Sequence, residues 1–382
     1  MNRLAITGSF ALMATVAMLL PADVRAESDK TWVIGEVAPL TGPVATVGVR
    51  LSNVVKMWAE DINAKGGIAG RKVEVITCND EAKPEKAVAC TRDIMDKKAV
   101  MIFGDTLTAS LRAMQALTKN GPTLLIPSPN VVPPADSFAF QVSPSDEHIT
   151  IAIAKYLKDN GLNKIGMVAA TDASGEVGVA SARKIFGQEK IDLELARIDL
   201  KATDASTQLT KVAGGDIRVV YSSYSGGGAI TVVKSFKNLG LQQPLIVSYA
   251  NISAGFVNVI KDVRPARLLG TSVIGIVPDA LTDAGERERS KAFLARYEKR
   301  YNENADMINL LGQAEVDVGE AILRNVANPA DYAAVKKYLE STPIPSVQDQ
   351  RFSPTNHVGL DATDVMIVEL KGDSWVKAGP VK

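Results

Sequence analysis

From Trp32 onward, short β-rich runs alternate with longer segments whose apolar residues recur at spacings of three and four. The runs fall at 32–37, 72–77, 100–103 and 123–126, and the segments 51–64, 84–97 and 108–120 between them read as amphipathic helices. A second series follows the Pro- and Asp-rich stretch 127–136 and the short run 138–142. It predicts helices at 147–160, 176–188, 205–213 and 229–238, with strands at 164–169, 193–199, 218–222 and 244–247. Strand and helix repeated this way predict an α/β fold of two doubly wound parallel-sheet units. Helices at 286–301, 308–327 and 330–339 are not interleaved with clear strands and read as additions to an existing sheet. A last strand is predicted at 365–371.

The N-terminal pattern is different. Met1-Asn2-Arg3 precedes an uncharged stretch from Leu4 to Leu20, and Val24-Arg25-Ala26 closes the segment. This is the pattern of a secretory signal, residues 1–26, with cleavage expected after Ala26. The stretch is short for a membrane span of about 20 apolar residues and is broken by Thr7, Gly8, Ser9 and Thr15. An exported chain is therefore expected. In an oxidising compartment the only two cysteines, Cys78 and Cys90, read as a strand-to-helix disulfide, with two buried thiols as the alternative.

Composition narrows the function. Lys+Arg 43 balances Asp+Glu 43 in 382 residues without a basic run, so the electrostatic footprint of a nucleic-acid binder is missing. Two histidines, His148 and His357, and two cysteines are too few for an ordinary structural zinc site, and no metal or cofactor is expected. The sequence has no G-x-S-x-G elbow, H-E-x-x-H pair or G-x-x-x-x-G-K-[ST] loop. Ser225-Gly226-Gly-Gly228 stands between a predicted strand and helix, where amides could cradle an anion or simply make a turn. The protein is not expected to be an enzyme.

In an open parallel sheet, ligands meet the carboxyl ends of the strands. Here those ends lead into loops rich in hydroxyls and small residues: Pro39-Leu-Thr41-Gly-Pro-Val-Ala45, Gly104-Asp-Thr-Leu-Thr108-Ala-Ser110 and Pro127-Ser128-Pro-Asn130. Such loops suit binding better than bond breaking. With Ile62-Asn-Ala-Lys-Gly-Gly-Ile-Ala-Gly70-Arg71-Lys72, Asn79-Asp80…Pro84…Ala87 and Phe236-Lys-Asn-Leu-Gly240-Leu241, they give the chain its resemblance to a family. It resembles the periplasmic substrate-binding proteins of branched-chain amino-acid-type ABC transporters, the leucine-binding-protein-like, type I periplasmic binding proteins. Within that family it also resembles the aromatic-acid-binding subgroup.

The resemblance implies two lobes joined by three hinge crossings, closing on a small ligand for delivery to an inner-membrane permease. The N-terminal lobe would be 27–143 and 277–353, the C-terminal lobe 144–276 and 354–382, in a monomer. Carried over by position, Thr108 would meet the ligand carboxylate, Pro129 and Asn130 would follow from the next loop, and Ser174, Tyr224 and Ser225 would face them. The family's acidic partner for a ligand ammonium falls on Tyr249, and its aromatic residue after the first loop on Val47. A buried ammonium without an anion is costly, so a carboxylate lacking that group is expected, a small aromatic acid held by Thr108 with Tyr224 and Tyr249. Asp105 or Asp172 as a replacement acid keeps leucine-like ligands as the alternative. A sensor partner and an exported hydrolase are the competing classes.

Overall fold

The structure, a computed structural model, describes residues 31–42 and 44–381. The expected signal segment 1–26 lies outside them. The first unit contains β1 (Trp32–Ala38), α1 (Ala45–Ala64), β2 (Val73–Asn79), α2 (Pro84–Asp96), β3 (Met101–Phe103), α3 (Thr108–Leu117), β4 (Thr123–Ile126) and β5 (Ala139–Gln141). Its five strands run parallel in the order β2-β1-β3-β4-β5.

The chain then crosses to a second unit: α4 (Asp146–Asp159), β6 (Lys164–Ala170), α5 (Ala173–Gln188), β7 (Asp192–Ile198), α6 (Ser206–Val212), β8 (Val220–Ser222), α7 (Gly226–Asn238), β9 (Leu245–Val247), α8 (Ala254–Val259) and β10 (Leu268–Val273). It returns to the first for α9 (Ala284–Tyr301), α10 (Met307–Asn325) and α11 (Tyr332–Ser341), and ends in the second with β11 (Val365–Lys371) and β12 (Ser374–Lys377). The second sheet has the order β12-β11-β10-β9-β8-β6-β7. This is a two-lobe α/β fold with three crossings. Among the described residues no helix is long and apolar enough to cross a membrane.

Apolar periodicity explains how the late helices join the first lobe. Leu51, Val54, Val55 and Trp58 make a buried stripe on α1, and Leu311, Ala314, Val318 and Ile322 make its counterpart on α10. Polar bonds set the register: Asn309 donates to the Arg50 carbonyl (3.0 Å) and Trp58 Nε1 to Glu320 (2.8 Å). Trp58 meets Phe103 edge-on, with ring centroids 6.0 Å apart. Cys78 on β2 and Cys90 on α2 are joined, their Cα atoms 5.7 Å apart.

The structure adds α8 and β12 to the expected elements and departs from the sequence expectations in four further ways. Helix α1 begins at Ala45, not at residue 51; Gly48 lies in its first turns because a Cβ there would stand 2.4 Å from the Pro39 carbonyl oxygen. Strand β10, diluted by Gly270, Thr271 and Ser272, was not expected, and β9 and β11 hold it on either side. The second sheet is not wholly parallel, since β11 and β12 run antiparallel to their neighbours. Finally, the Gln141 amide donates to the His357 carbonyl and the Gly359 amide to the Gln141 carbonyl, both at 2.8 Å. Residues 357–359 therefore remain bonded to β5, and the last crossing follows Gly359 instead of residue 353.

Candidate ligand-binding site

The loops at the carboxyl ends of β1, β3 and β4 face those of β6, β8 and β9 across a cleft. Two cavities, of about 470 and 570 Å³, open there and share Val44, Thr106, Leu107, Ser225, Gly226, Gly227 and Tyr249 along their walls. They are two halves of one space. The lobes stand close across it: a Cβ built on Gly226 would lie 4.0 Å from Val44 Cγ1.

The smaller half is mainly apolar. Val47 and Leu51 of α1, Ile230 of α7, Phe256 and Val259 of α8, and Ile308 and Leu311 of α10 line it. Arg50 is the one cation on the described walls of either half, and it is already neutralised. Its guanidinium lies 3.0 Å from Asp306 and 3.4 Å from Glu303.

The larger half is hydroxyl-rich. Thr108, Asn130, Ser174, Tyr224, Ser225 and Tyr249, anticipated from sequence, all line it. Thr108 Oγ1 and Ser223 Oγ are buried there without a hydrogen-bond partner in the described protein. Orphaned hydroxyls of this kind are costly unless a ligand or water engages them. Helices α1, α3 and α7 also start on the cleft at Val44, Leu107 and Ser225, none of which caps its helix with a side chain. The first amides and positive dipole ends of α3 and α7 are thus available to an anion, whereas in α1 the Ala45 and Val47 amides already donate to the Gly42 and Val44 carbonyls.

Local geometry positions these groups. Gly226 begins α7 at φ 63°, a left-handed conformation, and a Cβ on Gly228 would fall 2.1 Å from the Tyr224 ring, so only glycine lets that ring lie on the helix. The Tyr224 hydroxyl donates to the Asp199 carbonyl (3.2 Å). Asn251 Nδ2 donates to the Tyr224 carbonyl (2.8 Å), tying the 3-10 turn Tyr249–Asn251 to the loop after β8. Burial pushes the Tyr249 phenol well above its ordinary range, opposed by the Ser128 hydroxyl.

Two residues raised by the sequence lie off the cavities, and a third, on the wall, is already engaged. Pro129 does not line either cavity; its carbonyl accepts the Asp146 amide at 3.1 Å and so helps hold the start of α4. Asp105 is buried outside both cavities. Burial, together with the neighbouring Asp80 charge, pushes its carboxyl up to about 8. Asp172 does reach the larger half, but its Oδ1 caps α5 by accepting from the Gly175 amide (2.9 Å) and also takes the Ser174 hydroxyl (2.8 Å).

The histidines serve the framework. His357 stacks on Phe140 at 4.1 Å and bonds the Ala139 carbonyl and Glu340, each at 2.9 Å. His148 Nδ1 accepts the Ser145 amide in the capping box of α4. Neither lines either cavity, so neither supplies a hydrolase with a base at the cleft. Among the described residues no group of three or more His, Cys, Asp or Glu side chains could hold a metal ion.

Sequence reasoning missed two parts of the site. One is the apolar half, assembled from α8 and α10. The other is Asp146, on the wall of the larger half in the first turn of α4, whose carboxyl burial pushes up to about 6. Its signal was its place directly after the Ser143-Pro144-Ser145 crossing.

Comparison with known proteins agrees with this architecture. A Leu/Ile/Val-binding protein homolog of Brucella melitensis is 24% identical over 343 residues, covering 87% of this chain and 90% of that protein. A Leu/Ile/Val-binding protein of Rhizobium johnstonii is 29% identical over 178 residues; that match takes in 45% of this chain and 48%, about half, of the relative. A Rhodopseudomonas palustris ABC-transporter solute-binding protein, solved in complex with benzoate, superposes with a TM-score of 0.74 at 21% identity, over 92% of this chain and 96% of that one. At that identity the likeness is one of fold. The family described as periplasmic binding protein matches residues 31–374, and this chain belongs to it.

Proposed function

We propose that the protein is a periplasmic solute-binding protein that closes two lobes on a small carboxylate and delivers it to an inner-membrane ABC permease. In this reading residues 1–26 are the export signal and the mature protein acts as a monomer. The observation that carries the reading is Thr108. Its buried Oγ1 has no protein partner, and it opens a helix whose N-terminus has no side-chain cap, on the wall of the hydroxyl-rich half. A carboxylate there receives a hydroxyl, helix amides and the dipole of α3, without a cation. Closure excludes water and strengthens each of these contacts.

The apolar half suits the body of the ligand, and a small aromatic acid matches both halves. Tyr249 in place of the family's acid supports a ligand without an ammonium. The benzoate complex of the Rhodopseudomonas palustris protein supports the same class by analogy. A second reading, an aliphatic amino acid, is favoured by Asp146 on the same wall and by the names of the relatives. Mass spectrometry of whatever small molecule is released on denaturing purified protein tests the two. An aromatic acid supports the first, leucine or valine the second, and a ligand without a carboxylate overturns both.

A further inference from the structure

The hydroxyl-rich half holds an acid that binding of a bare carboxylate leaves unused. Asp146 is only 8% exposed, lines the cavity and is not required as the cap of α4, since Ser145 and His148 make that capping box. The groups facing it are the hydroxyls of Ser181 on α5, Tyr221 on β8 and Tyr249 on the turn after β9, with Glu147 next to it on α4. None is a cation. A buried carboxylate without a cation is expensive to keep, and it repels an anion brought into the same space. The same cavity carries donors at Thr108 and the start of α3. Its wall therefore carries donors from both lobes, at Thr108 and α3 and at Ser223 and α7, and a buried carboxyl acceptor, Asp146, on the second.

We propose that Asp146 is a specificity-determining residue that accepts a hydrogen bond from a donor group of the ligand, an ammonium or a hydroxyl, while the ligand carboxylate lies at Thr108. The inference rests on the carboxylate reading and narrows it: the ligand is an acid that also carries a donor, such as a hydroxylated aromatic acid or an amino acid. Tyr249 removes the family's acid from one place, and Asp146 supplies one from another.

Two matched pairs of probes test this by calorimetric titration of full-length protein, stripped of ligand by unfolding and refolding: 4-hydroxybenzoate against benzoate, and phenylalanine against 3-phenylpropanoate. At least one donor-bearing acid is expected to bind tenfold or more tightly than its bare counterpart. In Asp146→Asn that preference should collapse, with the bare acids unchanged or tighter because the repelling charge is gone. Bare acids that bind wild type as tightly as their counterparts would overturn the inference, as would a substitution that weakens both members of a pair equally. The wild-type comparison needs no variant, and so survives a failure of Asp146→Asn to fold. Binding of bare acids without any donor preference leaves the carboxylate reading standing and sinks only Asp146, whereas binding of none of the four acids would sink both.

Discussion

Two groups of helices begin in opposite ways. Helices α9, α10 and α11, added to the first lobe after the second crossing, each open on an aspartate that accepts a backbone amide: Asp283 from Glu286 (2.8 Å), Asp306 from Ile308 (2.9 Å) and Asp331 from Ala334 (3.0 Å). Helices α1, α3 and α7, which open on the cleft, have no side-chain cap. Ser225 at the start of α7 has the chemistry to cap and does not. At these six helices the contrast separates capped from uncapped starts, because a capped amide is spent within the protein while an uncapped one remains available to a ligand; α4, α5 and α8, whose first turns also reach the cleft, are capped by Ser145, Asp172 and Ser253. Helix α10 sharpens the point: it adjoins the apolar half of the cleft, where no donor is needed, and it is capped.

The capped side should break most severely. Arg50→Met leaves Asp306 buried without its cation, and a loss of about 3–5 kcal/mol is expected in denaturant unfolding. Acid should act in the opposite direction. Burial raises the carboxyls of Glu36, Glu315 and Asp146, none with a cation bonded to it, so the folded chain holds protons that the unfolded chain releases near pH 4. Stability therefore falls as pH rises through the folded-state values. The thermal midpoint of ligand-free protein should rise by a few degrees from pH 7.5 to pH 5. Pairs such as Glu176 with Arg197, which hold the carboxyl below its ordinary value, keep their contribution over that window and lose it only in stronger acid.

On the cleft side, Thr108→Ala should cost roughly 1–3 kcal/mol of ligand affinity with the melting temperature nearly unchanged. Asp331→Ala should do the reverse, removing about 1 kcal/mol of stability with no change in affinity. Equal effects of these two substitutions on binding would erase the distinction between the helix groups.

Much of this arrangement was legible in the sequence. Parallel strands buried on both faces are near-continuous apolar runs, so β1, β3, β4 and β6 stood out; the strand-end rule then put the loops of Thr108 and Asn130 on a cleft, and the family resemblance added Ser174 and Ser225. Strand β10 carries Gly270, Thr271 and Ser272 and draws its order from its neighbours, which no local pattern records. The apolar half was illegible for a similar reason: Phe256, Val259, Ile308 and Leu311 look like ordinary faces of α8 and α10 until the fold brings those faces to the cleft. Asp146, in the polar run Ser145-Asp146-Glu147-His148, reads as part of a helix cap, and only its burial on the cavity wall gives it another meaning.

The most direct measurement of the central claim is a calorimetric comparison of benzoate and benzamide, equal in shape and differing in charge, on ligand-free wild type and Thr108→Ala. Uncapped amides and an orphaned hydroxyl that await an anion predict binding of the acid, at least tenfold weaker binding of the amide, and loss of most of that difference in Thr108→Ala. Equal binding of acid and amide, or a preference for the acid that survives the substitution intact, would contradict it.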